Sequence, residues 1–385
     1  AAGYASASTD TGHVGAGGAF GLGHPEKVVD HGHRAVHEMT VTAKQLVSTF
    51  YSRPADRAYF NGCSLGGRQG LAEAQRYPLD YDGVVAGDIA NDITGLYAAR
   101  LTQHQFAHRS ASAALDDAAL RTLNAGAVRA CDAVDGVTDG VIERPQQCRF
   151  DPGTLTCGTP GAGTSCLTPE QVETARFIYK PVMHPETGAL VSNGLMPGSE
   201  AGWGAILGAE PERNSVEVYR YLVFKNPQWD WHAFALSSAL AAAPASQLRE
   251  IDATNPDLSA FFGHGGKLLL THGWADPQTP PLNGIGYYSR TKETVGPQRA
   301  DASLRLFMVP GMGHCGGGDG PNTFDMMPAL ESWVEKGPTP ASVIASHSTR
   351  GAVDRTRPLC PYPQVARYKG TGSIDAAENF ACRLP

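Results

Sequence analysis

Apolar residues alternate between helical and strand-like spacing over the N-terminal part of the chain. Residues 33–51 repeat apolar side chains every three or four positions, which predicts an amphipathic helix. A second helix is predicted to open at Gly66 and to end near Tyr77, since a proline follows. Short runs of small or apolar residues predict strands at 3–10, 58–60 and 82–87.

Two further apolar runs, at 267–273 and 303–309, predict buried strands in the C-terminal third. Between them and the N-terminal elements the regular alternation is lost, and an Ala-rich helix, an Asp- and Gly-rich loop and clustered cysteines occur instead. Strands that alternate with helices indicate an α/β fold. We therefore predict an α/β domain formed by residues 1–92 and 262–385, with residues 93–261 inserted between its strands as a lid domain.

Composition excludes several classes of partner. The 385 residues carry a net charge of −7 with scattered signs, so neither nucleic acid nor an anionic membrane is an expected partner. No apolar run approaches the roughly 20 residues of a membrane span. The 45 glycines and 27 prolines predict many long loops. A chain of this length can bury a large core.

The eight cysteines are even in number and none forms a C-x-x-C pair, which argues against a zinc site. Close spacing suggests three disulfides and leaves Cys63 for Cys315; the suggested pairs are Cys131–Cys148, Cys157–Cys166 and Cys360–Cys382. Four disulfides predict a secreted or periplasmic protein, whereas eight reduced, buried thiols are the alternative. The chain starts at Ala1 without a signal peptide, so a secreted protein is expected to have been processed or trimmed.

A G-x-S-x-G pattern at residues 62–66 predicts a nucleophile elbow at Ser64. A predicted strand precedes it and a predicted helix follows it, which is the context that supports such a motif. Gly62 and Gly66 are expected to let the backbone pass through the strained turn. The structural alternative is an ordinary Gly-Ser turn.

Asp276 and His314 are the predicted partners of Ser64, because each lies just after a predicted strand. Acyl transfer needs a nucleophile, a base and a carboxylate that fixes the tautomer of the base. The chain order Ser, Asp, His is that of α/β-hydrolases. Asp252 and Asp257 precede the strand and are poorly placed for this role.

The backbone N–H of Leu65 is the predicted oxyanion donor, since it follows the nucleophile. A second donor normally comes from a loop between earlier strands, and only one strand directly precedes the elbow here. We therefore expect the first strands of the sheet and this loop to be absent from the chain. A donor of this kind lowers the barrier by about 2.7–4 kcal/mol.

Three carboxylates at close spacing, those of Asp132, Asp135 and Asp139, stand in a Gly-containing loop. Together with nearby carbonyls they could surround one hard cation, and Ca²⁺ prefers such oxygen ligands. Cys131 and Cys148 bracket the loop. A solvated Asp-Gly turn without an ion explains the same spacing equally well.

Aromatic residues are frequent in the predicted lid and could either line an acyl pocket or form its core, which is the more common role. They are Trp203, Tyr219, Tyr221, Phe224, Trp229 and Trp231. Arg68 is expected to pair structurally. The unassigned histidines, His13, His104, His108 and His272, are expected to be structural or exposed.

The chain resembles the tannase and feruloyl esterase family of α/β-hydrolases over nearly its whole length. The family hallmark, Cys-Ser, Asp and His-Cys with the two cysteines bonded, matches Cys63-Ser64, Asp276 and His314-Cys315. Residues 3–13, 61–68, 131–142 and 310–315 also look like family motifs.

The resemblance implies a serine carboxylesterase that cleaves esters of aromatic carboxylic acids, most simply a feruloyl esterase. A tannase or a mono(2-hydroxyethyl) terephthalate hydrolase is the alternative within the family. A non-catalytic binding protein without the oxyanion loop is the alternative from another class.

The resemblance also implies a structural lid calcium, held by side chains of Asp132, Asp135 and Asp139 and carbonyls of Val137 and Val141. Family members carry a further N-terminal segment with the first strands. Trimming, a second polypeptide that completes the sheet, or a natural short variant would each explain its absence.

Overall fold

The computed structural model describes residues 3–161 and 165–385. Its strands are β1 Tyr59–Cys63, β2 Gly83–Gly87, β3 Val182–Met183, β4 Leu190–Ser192, β5 Lys267–Gly273, β6 Leu304–Val309, β7 Val343–Thr349, β8 Ala352–Leu359, β9 Val365–Tyr368 and β10 Phe380–Arg383. Its α-helices are α1 Pro25–Val29, α2 Ala35–Tyr51, α3 Leu65–Arg76, α4 Ile93–Ala107, α5 Asp117–Cys131, α6 Pro169–Tyr179, α7 Gly204–Leu207, α8 Arg213–Glu217, α9 Leu236–Ala242, α10 Leu248–Ile251, α11 Ser259–Gly263, α12 Pro281–Val295, α13 Pro297–Ser303 and α14 Met327–Lys336.

Four parallel strands in the order β1-β2-β5-β6 form the central sheet. Leu268 and Leu270 of β5 belong to a buried cluster with residues of α3, α11 and α12. Leu269, between them, packs with Leu330 and Trp333 of α14 in a separate cluster. Both faces of the sheet are thus covered, as expected for parallel strands that read as continuous apolar runs. All four strands end at the same edge, where their carboxyl ends can assemble a site.

The segment between β2 and β5 is helical and has apolar clusters of its own. One cluster packs α5 and α6 around Trp203. Another packs α4 against the π-helical turn Val218–Val223 and extends to Val28 and Leu65 of the N-terminal part. The predicted lid, residues 93–261, spans α4 to α11; its boundaries as a separate domain stay a prediction.

The elements predicted around the elbow are confirmed within a few residues: the helix at 33–51, the helix from Gly66, and the strands at 58–60, 82–87, 267–273 and 303–309. The strand predicted at 3–10 is wrong, because this segment has no regular structure. Its Ala, Ser and Thr side chains are mostly exposed and bury little apolar surface that could hold it against a sheet. None of the described helices is long and apolar enough to cross a bilayer.

Candidate active site

Ser64 lies at the sharp turn between β1 and α3, with φ 62° and ψ −119°. A non-glycine residue rarely adopts a positive φ, and such strain concentrates at functional sites. The turn is held by backbone hydrogen bonds, since Ser64 N–H donates to the Gly87 carbonyl at 2.9 Å and Arg68 N–H donates to the Ser64 carbonyl at 3.0 Å. The predicted elbow therefore has the strained backbone that presents a nucleophile.

Gly62 is required by a close approach of the backbone. A Cβ atom at this position would lie 2.6 Å from the carbonyl carbon and oxygen of Gly66. At Gly66 itself a Cβ atom would meet no neighbouring atom within 4 Å, and the φ angle there is not positive. Of the two elbow glycines, only the first is thus demanded sterically by this turn.

His314 and Asp276 form a hydrogen-bonded pair, with 2.8 Å between Nδ1 and Oδ2. Asp276 is fully buried, and its Oδ1 accepts the backbone N–H groups of Gln278 at 2.7 Å and Thr279 at 3.0 Å. Burial opposes ionisation, but hydrogen bonds from His272 and His314 outweigh it and hold the pKa of Asp276 well below its ordinary value. An ionised Asp276 makes Nδ1 of His314 the donor and leaves Nε2 as the proton acceptor.

A disulfide between Cys63 and Cys315 joins the elbow to the histidine loop, with 6.0 Å between the Cα atoms and a sequence separation of 252. Ser64 and His314 are the next residues on either side of this bond. Within the described ranges no hydrogen bond joins Ser64 Oγ to His314. Catalytic hydrogen bonds of this kind often tighten only in the complex with substrate.

The other three cysteine pairs are bonded as the spacing suggested. The disulfides are Cys131–Cys148, Cys157–Cys166 and Cys360–Cys382. All eight cysteines of the chain are thereby paired, so the alternative of reduced thiols is not supported.

Leu65 is the first residue of α3, directly after Ser64. Amide groups in the first turn of a helix have no intrahelical acceptor and point along the positive end of the helix dipole. This position is compatible with the predicted role of its N–H as oxyanion donor, which stays a prediction.

A buried Asp88–His272 pair lies beneath the predicted triad, and the sequence analysis missed its aspartate. His272 Nε2 is 3.5 Å from Asp276 Oδ2 and 3.8 Å from Asp88 Oδ1. His272, predicted to be structural or exposed, is 1% exposed and contacts the Thr279 carbonyl at 2.9 Å. Asp88 directly follows β2, so the rule that selected Asp276 would also have found it.

Burial and charge shift the protonation of this pair. Burial opposes the charged form of His272, but hydrogen bonding to Asp276 and the charge of Asp88 outweigh it and raise the pKa of His272. Burial raises the pKa of Asp88 to about 6, the charge of His272 opposes that rise, and the charge of Asp276 adds to it.

The acidic loop is closed at its base by the Cys131–Cys148 disulfide, as the sequence suggested. Both carboxylate oxygens of Asp132 accept backbone N–H groups, from Asp139 and Gly140, at 3.0 Å each. Asp135 Oδ1 accepts the N–H of Val137 at 3.0 Å. Asp132 therefore ties the start of the loop to Asp139 and Gly140 near its end.

Asp135, Asp139 and Val141 line one small cavity together with Glu143 and Arg357. Burial is the main cause that raises the pKa of Asp135 and of Asp139. Arg357 bonds Asp139 Oδ2, and Arg355 lies 3.5 Å from the same oxygen, so two positive charges face the three carboxyl groups of Asp135, Asp139 and Glu143. Carboxylates and carbonyls are the donors that suit a hard divalent cation. Of the predicted ligands, Asp135, Asp139 and Val141 line this cavity, whereas Asp132 and Val137 do not.

The lid aromatics serve mainly as core. Trp203 and Tyr219 are fully buried. The half-buried ones pack against the apolar cluster that also contacts Leu65, next to the nucleophile; they are Tyr221, Phe224, Trp229 and Trp231.

A separate cavity of about 440 Å³ lies between lid and sheet. Ile142, Gly198 and Gly202 of the lid face Trp274 and His314 across it. Its size is in the range of small-molecule sites.

Arg68 has the structural role that the sequence predicted. Its guanidinium is fully buried and donates to the carbonyls of Gly32 at 2.7 Å, Ile251 at 3.0 Å and His31 at 3.1 Å. It thereby ties α3 to the segments before α2 and after α10.

The model of the family described as tannase and feruloyl esterase matches residues 1–383. A probable feruloyl esterase B from Aspergillus clavatus is 36% identical over 403 residues, which cover 99% of this chain and 76% of the relative. An uncharacterized esterase from Xanthomonas campestris is 34% identical and covers 99% of this chain and 75% of the relative. The site thus defines a carboxylic ester hydrolase. The chain belongs to the tannase and feruloyl esterase family.

Solved structures agree with this assignment. The crystal structure of feruloyl esterase B from Aspergillus oryzae aligns with a TM-score of 0.90 at 30% identity, over 97% of this chain and 79% of that one. Tannin acyl hydrolase from Aspergillus niger aligns with a TM-score of 0.77 at 24% identity, over 94% of this chain and 71% of that one, which shows the shared fold. The predicted α/β-hydrolase fold is confirmed.

Proposed function

We propose that the protein is a secreted feruloyl esterase, which hydrolyses esters of phenolic and other aromatic carboxylic acids through Ser64, His314 and Asp276. The observation that carries this proposal is the disulfide-linked pairing of a strained Ser64 with the His314–Asp276 pair. These groups supply a nucleophile, a base and an orienting carboxylate.

In the proposed mechanism Nε2 of His314 removes the hydroxyl proton of Ser64, whose oxygen attacks the ester carbonyl carbon. The N–H of Leu65 stabilises the negative charge on the former carbonyl oxygen. Protonated His314 then gives its proton to the leaving alcohol, and an acyl-enzyme on Ser64 remains. Water, deprotonated by His314, releases the acid and restores Ser64. Asp276 stabilises the imidazolium in both steps.

The names of the similar relatives support a feruloyl group as the acyl part. Leu65, next to the nucleophile, packs on an apolar cluster, so apolar surface adjoins Ser64, and an aromatic ring is a suitable partner for such surface. Four disulfides support secretion, since such bonds persist in oxidising compartments.

For each ester, kcat/KM is divided by the rate constant of its uncatalysed hydrolysis. We expect this ratio to be larger for methyl ferulate than for p-nitrophenyl acetate. Chromatography of released ferulate measures the former, and a galloyl ester and mono(2-hydroxyethyl) terephthalate test the family alternatives. Binding of ferulate without turnover of any ester would instead identify a non-catalytic binding protein.

We also propose that the acidic loop binds one structural Ca²⁺ through Asp132, Asp135 and Asp139 and the carbonyls of Val137 and Val141. The ion would offset the buried negative charge around Asp135 and Asp139 and hold the loop in its folded form. It has no role in the bond-breaking steps.

Removal of calcium is expected to lower the melting temperature by several degrees. A ligand at 100 times its Kd stabilises the native state by about 2.7 kcal/mol. Differential scanning calorimetry before and after chelation, with re-addition of Ca²⁺ or Mg²⁺, measures the effect. The variant Asp135→Asn/Asp139→Asn should not respond to the chelator. An unchanged melting temperature, together with no metal by elemental analysis, contradicts the calcium site.

A further inference from the structure

Three non-glycine residues with positive φ meet at the Cys63–Cys315 disulfide: Ser64 at 62°, Asp88 at 40° and Cys315 at 59°. Strained backbone persists only where its surroundings hold it, and it clusters at functional sites. Ser64 and Cys315 belong to the elbow and to the histidine loop. The mechanism proposed above gives no role to Asp88, although its backbone is strained at the same place.

The Asp88 carboxylate connects the ends of the strands that carry the site. Oδ1 accepts the N–H of Gly273, the last residue of β5, at 2.8 Å. Oδ2 accepts the N–H of Cys315, the residue after His314, at 3.1 Å. Its own N–H donates to the Thr271 carbonyl at 2.9 Å, and Oδ2 lies 3.4 Å from Cys63 Sγ. One side chain thus contacts the elbow, β5 and the histidine loop.

We propose that ionised Asp88 is a positioning residue for catalysis, which holds the backbone at Cys315 and thereby the imidazole of His314 in register with Ser64. This inference rests on the proposed roles of Ser64 and His314. Asp88 does not line the cavity beside His314 and acts through other residues.

The role requires a carboxylate in its charged form. Two N–H donors approach different oxygens of Asp88, and an ionised carboxylate accepts both strongly. An asparagine would turn its NH₂ group toward one of these donors, which removes one hydrogen bond and sets donor against donor. In a protonated aspartate the hydroxyl oxygen is the weaker acceptor, so one of the two hydrogen bonds is weakened.

The titratable groups facing Asp88 are His272 and Asp276, on β5 and the loop after it, and His314 on the loop after β6. Because burial raises the pKa of Asp88 to about 6, its active, ionised form is lost as the pH falls below that value. Protonation of His314 also abolishes base catalysis. Loss of ionised Asp88 is therefore expected to make the acid side of the wild-type plot of log kcat/KM against pH steeper than a slope of one.

Asp88→Asn is expected to lower kcat about ten- to a hundredfold, with KM unchanged within about twofold, since small misplacements of reacting groups cost this much. The acid side of its pH profile should be less steep than that of the wild type, because the proton that Asp88 binds is no longer taken up. Asp252→Asn is the matched control. Asp252 is partly buried, has a pKa raised mainly by burial to about 6, and accepts through Oδ1 the N–H groups of Ile93 at 2.8 Å and Thr94 at 3.2 Å. It should lose stability but retain kcat.

Near-wild-type kcat for folded Asp88→Asn overturns the inference, and so does an equal loss of kcat in Asp252→Asn. If Asp88→Asn does not fold, the pH dependence of the wild-type activity is the test. An acid side with a slope no steeper than about one down to pH 4.5 contradicts the role of Asp88. A wild-type protein that turns over no ester would instead refute the proposed function.

Discussion

Ser64→Ala is expected to reduce kcat for ester hydrolysis by roughly 10⁴-fold or more, the loss seen when a serine hydrolase loses its nucleophile. The free energy of unfolding should change by no more than about 1 kcal/mol, since the substitution removes one partly exposed hydroxyl. Stopped assays with methyl ferulate and denaturant unfolding measure the two effects.

Ser52→Ala is the matched control, because Ser52 is also a serine with a positive φ, 55°, and is exposed after α2. The free energy of unfolding of Ser52→Ala should be similar to that of Ser64→Ala, whereas its kcat should equal that of the wild type. Residual activity of Ser64→Ala above a few per cent of wild type would mean that another residue attacks the ester.

Replacing both Cys63 and Cys315 by alanine is expected to lower kcat about a hundredfold in protein that remains folded. The disulfide fixes the Cα atoms 6.0 Å apart, and Ser64 and His314 directly adjoin it. Nucleophile and base must lie within hydrogen-bond reach, and displacements near 1 Å cost about this factor.

Cys360→Ala/Cys382→Ala is the control for lost cross-linking. Sequence separations of 252 and 22 predict losses of about 5 and 3 kcal/mol from chain entropy. Both double variants are therefore compared at a temperature where circular dichroism shows native structure. If the Cys63/Cys315 variant keeps wild-type kcat under these conditions, the disulfide does not position Ser64 and His314 for catalysis.

Sequence patterns predicted the part of the fold where local signals and long-range packing agree. The apolar runs at 267–273 and 303–309 are buried strands because both faces of the sheet are covered. Because Asp276 follows the strand at 267–273, its location at the carboxyl end of the sheet could be predicted. Three disulfides followed from spacing, since near neighbours in sequence close short loops, and Cys63 and Cys315 remained as the fourth pair.

Other features depend on contacts that no local pattern contains. The segment 3–10 alternates like a strand, yet its small side chains leave it exposed without a pairing strand in the described chain. Asp88 follows β2 as Asp276 follows β5, so its place near the strand ends could be predicted, but its contacts could not. Only the meeting of three chain segments around it, at Gly273, Cys315 and Cys63, makes it a buried acceptor.

The lid takes the place of a crossover between two adjacent parallel strands, β2 and β5. Such a crossover must join the end of one strand to the start of its parallel neighbour at the other edge of the sheet. The entropic cost of a longer connection grows only slowly with its length. The sheet therefore sets where the chain leaves Gly87 and where it re-enters at Lys267, but not what lies between. Exchange or resizing of this one segment would therefore leave the proposed catalytic residues at the strand ends in place.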